Sequence, residues 1–468
     1  MKTRHHRLLP ILAIALTVSA SPSRKPDFDA AEREAIGLLQ AYLRIDTTNP
    51  PGRERLAADF FHDIFEKEGI ENRIYDLGRG RANILARLPG SGAKRPLILL
   101  NHMDVVPAEP ARWTVPPFSG EIRDRYVWGR GATDMKGTAI CQLVTILLLK
   151  RRAVPLERDV IFLGTADEEE GEDNGVKAMV EQYRGDLRDA EFVLTEGNTL
   201  FVENGRTVSW DVDVTEKSAL WLHLVATGRA GHASIPESAG AVPRLVRALS
   251  RILDYQTPVR LIPAVRNYFQ ELAKTEREPL RTALEDPDTA LREPERRRVL
   301  LDDPFRNACL RATISVTGLK GSDKINVVPA EASAALDCRL LPGDDPDEFV
   351  ARLQRVVDDP SVHFELQGSV EKATESSIDT DLFRAIVKAR DQFEPGVPVL
   401  TPPLTSSTDA TRLRQIGMVV YGFEPFHLSD EEDRSHGDDE RVSLENVRFG
   451  LEVTYAVVSD VAGAGARR

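Results

Sequence analysis

The sequence predicts an α/β fold: a doubly wound, mostly parallel sheet domain interrupted by an inserted α+β domain. Three changes of pattern carry this reading. From about residue 29 to 200, helical and strand patterns alternate, and apolar strands such as "PLILLNHMDVV" and "DVIFLGTADEEE" run into polar ends. Strands joined by crossover helices build a mostly parallel sheet, and ligands then sit beyond the carboxyl ends of the strands. Near residue 215 the pattern shifts to alternating strands, "ALWLHLVATG", "ATISVTGLKG" and "ASAALDCRLLP", with helical "AVPRLVRALSRILDY" and "PDEFVARLQRVVD" among them. That combination is an antiparallel sheet plus helices. From about residue 374 the helix–strand alternation resumes. The implied division is 29–214 and 374–468 for the α/β domain, with 215–373 as the insertion.

Taken in order, residues 1–20 stand apart. Basic "MKTRHHR", apolar "LLPILAIALTV" and small-residue "VSA" make the three-part pattern of a secretory signal peptide ending at Ala20. The apolar run is short for a membrane span, so export to the periplasm or the exterior is expected rather than membrane anchoring. "DAAEREAIGLLQAYLRI" follows with helical period, and "TAICQLVTILLLKRR" reads as a buried helix. The charged, Arg/Glu-rich stretch 256–308 reads as extra helices decorating the inserted domain. The 468 residues, 41% hydrophobic and 29% charged, suit a globular chain of two or three domains. A net charge of −13 argues against a nucleic-acid partner, which needs a basic surface. Cys141, Cys309 and Cys338 are the only cysteines, lie in apolar patterns and form no CxxC, so they read as buried free thiols. A metal site in this chain must be built from His and carboxylates.

Three strands deliver such residues at the end where ligands bind. "NHMDVV" sets His102 and Asp104 two residues apart on one face of an extended chain, so the Asp104 carboxylate can reach the second imidazole nitrogen. A carboxylate there fixes the tautomer of a metal-bound histidine. "WGRGATDMKG" offers Asp134 in a glycine-rich turn before a helix, as a ligand or as a helix cap. "TADEEEGED", residues 165–173, holds six carboxylates. Glu168 and Glu169 leave the strand on opposite sides, so one can bind metal while the other faces an attacking water. "VLTEGNT" adds Glu196 at another strand end, and "DRSHGDDERV" adds His436 in a polar loop. One carboxylate bridging two cations, plus one His and one carboxylate for each, is a dinuclear hydrolytic zinc site. HExxH, GxSxG, a Walker A loop and a full GxGxxG are absent.

In chain order, "NHMDVVP", "GRGATDMKG", "TADEEEG", "TEG", "GHAS", "INVVPAEA" and "SHGDDE" resemble the dinuclear zinc metallopeptidase family containing glutamate carboxypeptidase, succinyl-diaminopimelate desuccinylase, acetylornithine deacetylase and the aminoacylases. The segments cover most of the chain after residue 30. The resemblance implies a zinc-binding α/β catalytic domain with an inserted α+β lid or dimerisation domain. It implies that His102 and His436 each bind one zinc, that Asp134 bridges the two, and that Glu169 and Glu196 complete the sites. Glu196 stands where the family has Asp or Glu. Asp104 would orient a ligand, and Glu168 would be the general base. His232 of "GHAS" would polarise the scissile carbonyl, often from a second subunit, and Asn326 and Arg339 would contact the substrate. Two places depart from the family pattern: Ser406 and Ser407 in "TSSTDATR" replace glycines of a carboxylate-binding loop, and Thr138 follows "MKG" where a second glycine often stands.

The implied activity is hydrolysis of an amide bond next to a free carboxylate, with two Zn2+ (or Co2+ or Mn2+) per chain, by a carboxypeptidase or dipeptidase of small peptides. An aminoacylase or N-acyl-amino-acid hydrolase/synthase is the alternative, and a non-catalytic peptide-binding protein on the same scaffold is the second. A homodimer through the inserted domain is also implied. Elsewhere, His62, His223 and His363 read as packing or surface residues. His427 in "EPFHLSD" rivals His436, although "SHGDDE" matches the family ligand segment better. Asp167, Glu170, Glu172 and Asp173 read as solvated flanks, with Asp167 able to hold local backbone.

Overall fold

The computed structural model describes residues 26–464 apart from positions 172, 173, 188, 236, 369, 371 and 430. The expected signal peptide and the flank residues Glu172 and Asp173 lie outside the described residues. The larger sheet has six strands, in the spatial order Glu71–Gly78, Arg81–Leu88, Val160–Thr165, Leu97–His102, Phe192–Thr195 and Val419–Gly422. The last four run parallel. The first two form an antiparallel hairpin that joins Val160–Thr165 antiparallel, an edge the alternation pattern did not predict. Helices cover both faces, which is why these strands read as unbroken apolar runs. Leu97, Leu99, Val160, Phe162 and Leu194 face one core, lined by the helices Phe28–Leu43, Glu54–Lys67, Lys136–Arg151 and Leu444–Ala462. Ile98, Leu100, Ile161, Leu163 and Val193 face the other, covered by Val176–Gln182 and Ala410–Gln415.

A second, four-stranded antiparallel sheet has the order Thr313–Lys320, Glu331–Leu340, Ser218–Thr227, Val362–Gln367. Helices Ala241–Asp254 and Pro346–Val357 pack on the face carrying Leu220, Leu222 and Leu224, giving this unit its own core. Residues alternate across a strand, so Ala219, Trp221 and His223 occupy the opposite face. The two chain segments linking the units meet at an antiparallel bridge between Thr215 and Glu375.

The 256–308 stretch is helical, but it does not decorate the second sheet. Val265, Phe269, Leu284 and Leu300 join the core of the larger sheet, and Pro263–Leu272 packs on the strand Val399–Leu400. Lys217, buried where the chain leaves for the second unit, donates to the Ala308 and Arg311 carbonyls and ties this stretch to the crossing. Cys141, Cys309 and Cys338 are buried free thiols. No helix among the described residues is long and apolar enough to cross a membrane.

Candidate metal centre

Because Leu97–His102, Val160–Thr165 and Phe192–Thr195 are parallel, their carboxyl ends lie side by side and set down His102, the Glu168–Glu169 pair and Glu196 in one place. Asp134 comes from the turn before the helix Lys136–Arg151, and His436 from the loop before the C-terminal helix. His436 has φ 62°, a left-handed conformation uncommon for a side chain with a β-carbon. The result is two groups of ligand-type atoms, His102–Asp134–Glu196 and Asp134–Glu169–His436, each within 4.8 Å. His102 Nε2 lies 2.9 Å from Asp134 Oδ1 and 3.2 Å from Glu196 Oε2. His436 Nε2 lies 3.0 Å from Asp134 Oδ2 and 3.1 Å from Glu169 Oε2. Asp134 thus faces both histidines, one through each oxygen.

His102 Nδ1 donates to the backbone carbonyl of Asp104 at 3.0 Å. A carbonyl can only accept, so Nδ1 carries the proton and Nε2 presents a lone pair to two carboxylates. That arrangement is stable only with a second proton or a cation between them. Burial opposes a charged imidazole, yet Glu196, Asp104 and Asp134 hold His102 well above the usual range. Asp134 and Glu169 raise His436 to about 10. Burial resists charge on Asp134 as well, but His102 and His436 hold it well below the usual carboxylate range. Glu169 Oε1 is buried without a hydrogen-bond partner. An unpartnered buried carboxylate oxygen is costly unless a cation or a proton takes it up. Two imidazoles and three carboxylates, with no thiolate, fit zinc, cobalt or manganese. Loading should then displace one proton from each histidine, because a metal ligand must be deprotonated. Titrating zinc into metal-stripped protein at pH 7 is expected to release about two protons per chain. Release near zero would mean that both histidines are already neutral in the metal-free protein.

Asp104 meets His102 through its backbone carbonyl more closely than through its carboxylate. Its carboxylate Oδ1 stands 3.7 Å from His102 Nδ1, too far for a hydrogen bond, because the residue's own carbonyl is nearer. The carboxylate instead accepts the backbone N–H groups of Glu168 and Glu169, each at 3.2 Å, and Asn49 Nδ2 at 2.9 Å. It therefore clamps the acidic loop onto the strand that bears His102. Asp167 is no solvated flank. It is buried, with φ 68°, paired with Arg81 at 2.6 Å and bonded by Asn49 and Asn174. Glu170 is exposed, as expected. Burial and the charge of Glu196 push Glu168 well above the usual carboxyl range.

Sequence reasoning missed Glu440, the last residue of "SHGDDE". Fully buried, it accepts from Arg130 Nη1 at 2.6 Å, from the N–H groups of Gly131, Thr133 and Asp134 at 2.8, 2.9 and 3.2 Å, and from the Thr133 hydroxyl. It shapes the turn that aims Asp134 and anchors the far end of the His436 loop. Thr138 also acquires a reason: its hydroxyl donates to buried Glu424 Oε2 at 2.6 Å, a bond glycine could not make. His427 is not at the centre; it pairs with Glu394 at 3.2 Å and packs on Phe449.

A cleft of about 300 Å³ between the two units opens onto Glu168, Glu169 and His436. Arg339, Ser406, Ser407 and Asp409 line it too. Arg339 is held by Asp337 through two bonds of 2.8 and 3.0 Å, so its fork already grips a carboxylate of its own strand. Thr165 donates to Asp409 at 3.1 Å, and burial with the charge of Glu196 lifts Asp409 to about 7. The structure does not bring His232 or Asn326 to this cleft. Both are exposed on the ribbon where Gly231–His232 pairs with Val327–Val328.

The model of peptidase family M20/M25/M40 matches residues 98–460. The N-fatty-acyl-amino acid synthase/hydrolase PM20D1 of Xenopus tropicalis is 32% identical over 450 residues, 92% of this chain and 87% of its own. A probable carboxypeptidase S-like protein of Dictyostelium discoideum is 29% identical over 375 residues, 78% of this chain and 72% of its own. Among solved structures, an M20 family metallo-carboxypeptidase from Sulfolobus solfataricus superposes with a TM-score of 0.70 at 20% identity, over 92% of this chain and 99% of that one. With the strand-end ligand groups, the interdomain cleft and the family match in agreement, the chain belongs to peptidase family M20/M25/M40 and is a hydrolase of that family.

Proposed function

We propose that this protein is an exported, dinuclear zinc hydrolase that releases an amino acid from an amide next to a free carboxylate. The substrate is a small peptide or an N-acyl amino acid. These share one reacting unit, an acyl group on the nitrogen of a terminal amino acid. The observation that carries the reading is Asp134 facing both His102 and His436, each with a further carboxylate. Two bound cations would lower the pKa of a water and polarise the scissile carbonyl. Glu168, on the cleft beside Glu169, takes a proton from the attacking water and returns it to the leaving nitrogen. Its burial favours the protonated form it must pass through. The test is a panel of dipeptides and N-acyl amino acids against protein loaded with zinc, cobalt or manganese. Tight binding of these compounds with no turnover under any metal would favour a binding protein on the same scaffold. Export is tested by sequencing the N-terminus of protein from the periplasm or medium, expected to begin at Ser21.

His232 enters this reading from a second subunit. Ile325 is fully exposed beside Asn326, and Ile235 and Leu319 are 73% and 72% exposed on the same unit, which supports a dimer through this domain. His232→Ala is expected to lower kcat by about 10²–10³, the usual cost of an oxyanion donor. Mixing it with inactive Glu168→Gln protein should restore part of the activity. Restoration is expected only if the donor crosses between subunits.

A further inference from the structure

One polar wall of the cleft is held in place by a buried acid far from the metal ligands. Ser406, Ser407 and Arg412 line that wall. Hydroxyls and a guanidinium suit a carboxylate, so the acidic group of a substrate belongs there rather than beside Glu168 and Glu169. Glu216 lies where the chain crosses into the inserted unit and is 1% exposed. Its Oε2 accepts the Thr408 N–H at 2.9 Å and the Thr411 hydroxyl at 3.0 Å. Its Oε1 accepts the Thr408 hydroxyl at 3.0 Å and lies 3.0 Å from Arg414 Nη1. Arg414, also buried, donates at 3.1 Å to the Val420 carbonyl in the strand Val419–Gly422. The backbone adds two bonds of 3.0 Å: Leu404 N–H to the Thr215 carbonyl, and Lys217 N–H to the Leu404 carbonyl. The loop is thus tied to the larger sheet and to the segment that joins the two units. Each Glu216 oxygen takes one donor that can never accept, a backbone N–H on one side and a guanidinium on the other. A glutamine at this position would turn its NH2 towards a donor in either orientation, which is costly in a buried site.

We propose that Glu216 is a positioning residue for substrate binding: through Thr408 and Thr411 it holds the Ser406–Asp409 loop where the substrate's carboxylate docks. The inference rests on the amide-hydrolase reading above. Its test compares zinc-loaded wild type, Glu216→Gln and Glu216→Gln/Arg414→Met on the compound of the panel that wild type cleaves fastest. Glu216→Gln should raise KM by about tenfold with kcat within about threefold, because the docked carboxylate is held alike in substrate and transition state. Bound metal should stay at the wild-type level, since the partners of Glu216 are Thr408, Thr411 and Arg414 rather than the ligands. Removing Arg414 frees the glutamine NH2 to donate to the Thr408 hydroxyl while its oxygen accepts the Thr408 N–H. The Val420 carbonyl keeps the Ser376 hydroxyl as a donor. The double change should therefore bring KM back to within about threefold of wild type, as a buried ion pair replaced on both sides is tolerated better than one broken on one side. A second readout is inhibition by the released amino acid against its carboxamide. Wild type should bind the acid about tenfold more tightly, and Glu216→Gln should bring the two within about threefold. An unchanged KM in Glu216→Gln, or a loss of affinity that the carboxamide shares equally, would overturn this inference while leaving the hydrolase reading intact. Loss of folded or metal-loaded protein that the double change does not restore would also overturn it, making Glu216 a structural residue of the crossing. A wild type that cleaves no member of the panel under any metal would overturn both.

Discussion

Glu168→Gln is expected to lower kcat by about 10²–10⁴ while leaving the metal content unchanged. Glutamine keeps the shape of the side chain and its place on the cleft, but it cannot accept a proton from water. The backbone N–H of Glu168 stays bonded to Asp104 whichever side chain is present, so the loop should hold and Glu169 should still face His436. Steady-state kinetics alongside metal analysis separates the outcomes. Activity within about tenfold of wild type removes Glu168 as the base. Loss of metal together with activity would make it a ligand or a loop residue.

Glu440→Ala should be the most damaging change outside the ligand set. It strands Arg130, whose side chain is 3% exposed, and leaves the N–H groups of Gly131 and Thr133 without their acceptor. Removing one member of a buried ion pair typically costs about 3–5 kcal/mol. The denaturant midpoint should fall accordingly. Metal affinity should fall with it, because the turn aiming Asp134 loses its anchor. Glu440→Gln keeps one acceptor oxygen and should lie between. An alanine variant with the wild-type midpoint and full metal content would show that the turn holds itself.

Strand ends were the legible part of this site. A strand buried on both faces reads as an apolar run that stops at its first polar residue, and here those stops lead into His102, Glu168–Glu169 and Glu196. The two-residue period rightly kept Asp104 on the side of His102, but it could not weigh the backbone carbonyl against the carboxylate. His436 needed the resemblance, since nothing local distinguishes a histidine in a polar loop. Glu440 and Asp167 were hidden for another reason. Each sits in a run of acids that looks solvated, and each is buried only by partners far along the chain, Arg130 and Arg81. The 256–308 stretch shows the same limit for packing: its composition reads as helix without saying which core those helices join.

Asp134, facing both histidines, is the residue on which the proposed pair of cations depends. Metal analysis of purified protein, with activity followed through chelation and reloading, tests that most directly. The expected result is about two equivalents of zinc, cobalt or manganese per chain, turnover lost on chelation and regained on reloading, and neither cation retained tightly by Asp134→Ala. A metal-free preparation that keeps full activity would contradict it.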